Sequence, residues 1–184
     1  MTDTTIFTVG HSTHPIEEFI GILKAHGIKK LIDVRTVPKS RHNPQFNADA
    51  LAASVRASGI TYRRMESLGG LRHTSKDSPN GAWRNASFRG YADYMQTEEF
   101  AAAVEQLRER GRHSDAAIMC AEAVPWRCHR SLIGDALLVR NVRVLDIMSP
   151  TSAKPHTLTS FARVDGRRPP MKGESIWVRP QSGH

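Results

Sequence analysis

Two short stretches carry most of the reactive side chains in this sequence. Cys120-Ala121-Glu122 and Cys128-His129-Arg130 stand on either side of a turn through Pro125-Trp126-Arg127. An apolar run ends at Cys120 and a helical pattern begins at Cys128, so the connection reads as strand, loop, helix. Such a loop gathers backbone N–H groups and the positive end of a helix dipole, which favour an anion. A thiol placed there loses its proton more easily, and Arg127 and Arg130 add to that effect. Cys120 and Cys128 are therefore candidate nucleophiles. Six residues separate Cys120 from Arg127, one more than in the thiol-phosphatase loop, which argues against that activity. The alternative for Cys120 is a small buried apolar residue at a strand end.

Further candidates end other strand-like runs. His11 and Ser12 follow Ile6–Gly10, with His11 as a proton carrier and Ser12 as a ligand contact or helix cap. Asp33 and Arg35 stand two apart on one strand and so point the same way. They can form an orienting pair, or Arg35 can clamp a phosphate that Asp33 helps to place. Ser40 and Arg41 lie in the loop that follows, where direct ligand contact is expected. Glu122 reads as a general base or as the counter-charge to Arg130, and His129 and Arg130 as ligand contacts. Cys120, Glu122, Cys128, His129 and His11 are metal-capable types, but no Cys-x-x-Cys pair and no His-x-x-x-His pair is present. Adjacent Cys128 and His129 diverge along a helix, so no metal is assigned.

The elements that must position these groups alternate. Short β-branched runs at Ile6–Val9, Leu31–Val34, Ile60–Tyr62, Ala116–Cys120 and Val142–Ile147 predict strands. Helices are predicted after Pro15, from Asn47 to Gly59, from about Tyr91 to Arg110, and from Cys128 to Arg140. Ser12 or Thr13 is the expected cap of the first. This order predicts an α/β fold, a mostly parallel sheet with helices on both faces. Ligands of such sheets sit beyond the carboxyl ends of the strands, where the candidate residues cluster.

Two regions break the alternation. Residues from about 68 to 90 lack a period, which leaves a functional lid or disorder as readings of a long loop. Trp83, Phe88, Tyr91 and Tyr94 lie there near Arg84 and Arg89, a pattern that suits base stacking. The alternative for Tyr91 and Tyr94 is the buried first turn of a helix. From Pro150 a Pro-rich extension follows, expected to run over the surface. The expected division is an α/β domain over 1–149 and a basic tail over 150–184, packed on or near that domain.

Composition bounds the function. The 184 residues are 39% hydrophobic and 24% charged, enough for one core. Lys and Arg total 26 against 18 Asp and Glu, a net charge of +8. Six basic and two acidic side chains place +4 of that in the tail. No apolar run approaches the roughly 18–20 residues of a membrane helix, so no membrane partner is expected. No secretory signal is visible, and two cysteines suit a reducing, cytoplasmic setting rather than a disulfide scaffold.

Several stretches together resemble a known family. They are Thr8-Val9-Gly10-His11-Ser12, Asp33-Val34-Arg35 with Pro38 and Ser40-Arg41, Leu68-Gly69-Gly70, Tyr91-Ala92-Asp93-Tyr94-Met95, and Met119-Cys120-Ala121-Glu122 through Cys128-His129-Arg130. The sequence resembles the domain-of-unknown-function 488 family over roughly residues 6 to 148. His156 to Gly166 looks like the C-terminal extension of longer members. The resemblance implies an α/β fold and assigns neither an activity nor a cofactor.

The expectation is a cytoplasmic α/β protein with an anion pocket at one sheet edge. Its partner would be a phosphate-bearing small molecule or nucleic acid. In the leading version Arg35, Arg41 and Arg130 bind the anion, His11 and Glu122 move protons, and Cys128 or Cys120 is the nucleophile. The rivals are a non-catalytic nucleic-acid-binding module and a metal- or thiol-dependent redox protein.

Overall fold

The computed structural model describes residues 4–70, 86–158, 162–165 and 177–180. Strands β1 (Thr5–Gly10), β2 (Lys30–Asp33), β3 (Thr61–Arg64), β4 (Ala116–Cys120), β5 (Arg143–Ser149) and β6 (Ser152–Pro155) form one sheet, in the order β3-β2-β4-β1-β5-β6. All pairs are parallel except β5 with β6. The helices are α1 (Ile16–Ala25), α2 (Ala48–Ala57), α3 (Ala86–Tyr94), α4 (Glu98–Arg110) and α5 (Arg130–Leu138). Strands β7 (Ala162–Asp165) and β8 (Trp177–Pro180) form a separate antiparallel pair. No described helix is long and apolar enough to cross a membrane.

Alternation along the buried strands produces two cores. Phe19, Ile22 and Leu23 of α1 and Leu51 and Val55 of α2 pack on Val9, Leu31, Ala117 and Met119. On the other face, Phe100, Val104 and Leu107 of α4 and Leu132, Ile133 and Leu137 of α5 pack on Ile6, Ile32, Ile118 and Val144. Neighbouring residues of one strand, such as Leu31 and Ile32, thus serve opposite cores, as a period of two requires.

The connections explain where a crevice must open. From β1 the chain crosses one way to β2, with α1 on one face. From β4 it crosses the other way to β5, with α5 on the opposite face. Right-handed crossovers running in opposite directions put their helices on opposite faces. The loops after the adjacent strands β1 and β4 therefore diverge, and the gap between them is the ligand site of doubly wound sheets.

The predicted helix from Tyr91 to Arg110 is two helices. Thr97 Oγ1 accepts the Phe100 N–H at 3.2 Å and caps α4, with Glu98 and Glu99 in its first turn. Those residues are an N-terminal signature inside the apolar period. Residues 86–90, expected within the unpatterned loop, lie in α3; the rest of that loop, 71–85, falls outside the described residues, as do the side chains of Trp83, Arg84, Phe88 and Arg89. Tyr91 and Tyr94 are buried and donate to the Leu68 and Ser67 carbonyls at 3.0 and 2.7 Å, so they are core residues rather than stacking platforms. Neither Ser12 nor Thr13 caps α1, whose N-cap is Pro15 with no side-chain bond. Ser12 is instead in the left-handed region, φ 49°, and its N–H bonds the Ala121 carbonyl at 2.9 Å.

The described start of the extension joins the sheet as β6. His156, its side chain 5% exposed, sits between two carboxylates. Its Nδ1 lies 2.8 Å from Asp146 Oδ2 and its Nε2 2.9 Å from Asp135 Oδ1. These carboxylates outweigh the burial that opposes them and raise the His156 pKa to about 9, against 6.5 unperturbed. A group whose folded pKa is raised stabilises most below its unfolded pKa and loses that contribution as pH climbs through the folded value. Wild-type stability should thus exceed that of His156→Ala by an extra ~3 kcal/mol near neutral pH or below, a gap that closes above about pH 9. Urea midpoints of both proteins across that range check this.

Candidate functional site

Between the diverging loops lies a cavity of about 480 Å³. Its wall includes His11 and Ser12 after β1, Arg35, Thr36, Lys39 and Ser40 after β2, and Cys120, Glu122, Cys128 and His129 around the β4–α5 connection. Eight of the residues expected from the sequence thus share one space: His11, Ser12, Arg35, Ser40, Cys120, Glu122, Cys128 and His129. Arg41 is exposed and outside the wall. Asp33 and Arg130 are fully buried behind it.

Asp33 and Arg35 form the pair that their spacing suggested. Arg35 Nε and Nη2 meet Asp33 Oδ1 and Oδ2 at 2.9 and 2.7 Å, a fork-on-fork contact. Tyr62 Oη also donates to Asp33, and burial together with that bond pushes the Tyr62 pKa up. With two arms of Arg35 so fixed, Nη1 is left to face His11 Nε2 at 3.4 Å.

His11 stacks on Phe46 with ring centroids 4.2 Å apart. Its Nδ1 lies 2.8 Å from the Ser12 carbonyl, which can only accept, so Nδ1 carries the proton. Nε2 is therefore a lone-pair acceptor beside Arg35. Burial, with Arg35 nearby, lowers the His11 pKa and keeps the ring neutral.

The same reasoning fixes His129. Its Nε2 lies 2.8 Å from the Val34 carbonyl and must donate, which turns Nδ1 to Cys128 Sγ at 3.5 Å. Gly70 makes room for this ring: a Cβ there would stand 2.5 Å from Nδ1. Cys128 receives a hydrogen bond from the Cys120 thiol, the largest influence on it, then interactions with His129 and the Arg130 backbone N–H. Against the opposing effect of burial, these lower its pKa to about 4. Burial and its donation to Cys128 push the Cys120 thiol the other way, well up. The favoured state is a Cys128 thiolate beside His129 Nδ1, with the Cys120 thiol keeping its proton.

Arg130 has a different place from the one expected. Its Nη2 donates to the backbone carbonyls of Glu122 and Ala123 at 3.2 and 3.1 Å, and Nη1 reaches Thr8 Oγ1 at 3.4 Å. It is an internal brace for the 121–123 loop, not a group facing the cavity. Nor is Glu122 its counter-charge: the Glu122 side chain is exposed at the wall, and Arg130 meets only its carbonyl. The opposite charge is Asp146, which also bonds Thr8 and His156. Because N–H and C=O point opposite ways across a trans peptide, the Ala123 and Val124 N–H groups turn away from Arg130. Ser40 builds its own loop, accepting from Asn43 N at 3.0 Å while its N–H meets Asn47 Oδ1 at 2.7 Å. No set of three His, Cys, Asp or Glu side chains able to hold a metal occurs among the described residues.

Sequence reading missed Lys39, Thr36, Thr8, Asp135, Asp146 and His156. Asp135 was the legible one, a carboxylate on the apolar face of a helix that is buried from Arg130 to Leu137.

The fold and cavity define a doubly wound α/β protein with a thiol-lined crevice at its topological switch point. The family model for Domain of unknown function DUF488 matches residues 15–137, and the chain belongs to that family. That span holds all the wall residues named above except His11 and Ser12. Neither the curated proteins nor the solved structures contain a match to the chain.

Proposed function

We propose that the protein is a cytoplasmic thiol enzyme acting on a small phosphate-bearing molecule, with Cys128 as the nucleophile. The observation that carries this reading is the Cys128–His129 contact, in which the Val34 carbonyl commits Nε2 and leaves Nδ1 to the sulfur. A thiolate so placed can attack an electrophilic centre, and His129 Nδ1 beside it can pass a proton to a leaving group. Arg35 and Lys39 supply positive charge for the anionic group, and Ser12 and Ser40 supply polar contacts. His11 Nε2 and the exposed Glu122 carboxylate are the further proton acceptors of the wall. The volume fits a ligand of nucleotide size or smaller, and is too small for a nucleic-acid strand to enter whole.

Inorganic phosphate should protect Cys128 from iodoacetamide, while chloride at equal ionic strength should not. Lys39→Ala, at an exposed position, should weaken that protection several-fold with the thermal transition unchanged. Absence of protection at tens of millimolar phosphate would overturn the anion-site reading.

A further inference from the structure

We infer that Cys120 and Cys128 form a dithiol centre that reduces small hydroperoxides, Cys128 being oxidised first and Cys120 resolving it. The inference rests on Cys128 being a ready nucleophile, as in the function proposed above, but needs no anion site. The chain has only two cysteines, and both are unpaired. They stand near either end of the connection between β4 and α5, and both residues line the same cavity. The two thiols interact, each shifting the ionisation of the other.

Their environments divide the roles. Cys128 is 7% exposed and Cys120 1%, so an entering oxidant meets Cys128 first. Cys120 keeps its proton, its thiol donating to the Glu122 carbonyl at 3.7 Å. His129 Nδ1, 3.5 Å from the Cys128 sulfur, delivers the proton to the departing oxygen. The cavity admits a small hydroperoxide, whereas sulfurs this deep are closed to a disulfide carried on another protein.

The chemistry balances in two steps. The Cys128 thiolate attacks the terminal oxygen of ROOH; an S–O bond forms, the O–O bond breaks, and RO⁻ takes a proton from His129 to leave as ROH. The Cys120 sulfur then attacks the sulfenic sulfur of Cys128. An S–S bond forms, the S–O bond breaks, and hydroxide leaves with the Cys120 proton as water. The peroxide gains two electrons and the two thiols lose them. A thiol reductant restores the pair.

The test uses the full reduced chain and one equivalent of hydrogen peroxide, read by thiol titration and intact mass. The wild type should lose both thiols and two hydrogens in mass as a monomer, and dithiothreitol should reverse this. Cys120→Ser and Cys120→Ala should stop at a Cys128 sulfenic acid that dimedone traps. Cys128→Ser should keep its remaining thiol, oxidising at least about tenfold more slowly. Survival of both thiols, a disulfide between two chains, or sulfinic acid at Cys128 beside a free Cys120 would each overturn the inference. Rapid alkylation of Cys128 without disulfide formation would remove this inference and leave the proposed function standing. Disulfide formation without phosphate protection would do the reverse.

Discussion

Alkylation of Cys128 by iodoacetamide is expected to be almost independent of pH between about 5.5 and 8, where an ordinary thiol would accelerate about 200-fold as it ionises. The flat profile follows because the sulfur is already a thiolate throughout that range. Absolute rate is the poorer readout, since a more acidic thiol is also a weaker nucleophile. His129→Ala removes the ring at 3.5 Å, and Cys120→Ala removes the donating thiol, so each should restore part of the slope. The Cys120 substitution should restore more of it, that bond being the largest influence on Cys128. Cys128→Ser should abolish the fast reaction, because Cys120 is buried and holds its proton. A wild-type rate that climbs about tenfold per pH unit would show an un-ionised thiol, and the proposed chemistry would fall with it.

The second large effect contrasts two glycines. A Cβ on Gly10 would lie 1.7 Å from the Glu122 carbonyl oxygen, 2.5 Å from its carbon and 3.0 Å from Ala123 Cα. All three are backbone atoms, and that carbonyl also receives Arg130 Nη2 and the Cys120 thiol. Gly10→Ala must therefore displace the 121–123 loop, at about 3 kcal/mol or more. It should also disturb the Cys128 profile, because Cys120 loses its anchor. Gly21 in α1 meets nothing within 4 Å and is exposed. There the same substitution should stabilise by about 0.5–1 kcal/mol, through helix propensity. Urea midpoints decide both signs, and a Gly10→Ala protein as stable as wild type would show that the close approach at β1 is absent.

Much of the fold was legible because its signals are local. Apolar runs such as Ala116–Cys120, β-branched residues such as those of Ile6–Val9, and glycines ending helices each act over a few residues. Gly27 and Gly59 have φ of 70° and 83°, as stops after α1 and α2 require. The alternation of these elements then permits few arrangements besides a parallel sheet covered on both faces. Where reading failed, a local signal had two meanings. Ser12 has the type of a cap, but its backbone is fixed by bonding to the loop after β4. Tyr91 lies near arginines, which leaves stacking open, yet its ring belongs to the core and its hydroxyl to the Leu68 carbonyl.

The residue types of the site, and their place at the ends of strands, were therefore set by composition and short-range periodicity. What those residues do to one another depends on contacts between distant segments. His129 gains its orientation from Val34, Arg130 its burial from Thr8 and the loop it braces, and His156 its charge from Asp135 and Asp146. Only packing brings such groups within hydrogen-bonding distance, and only burial strengthens their interaction enough to choose a protonation state. For that reason an arginine expected to face an anion became an internal brace, and two cysteines of one loop took opposite protonation preferences.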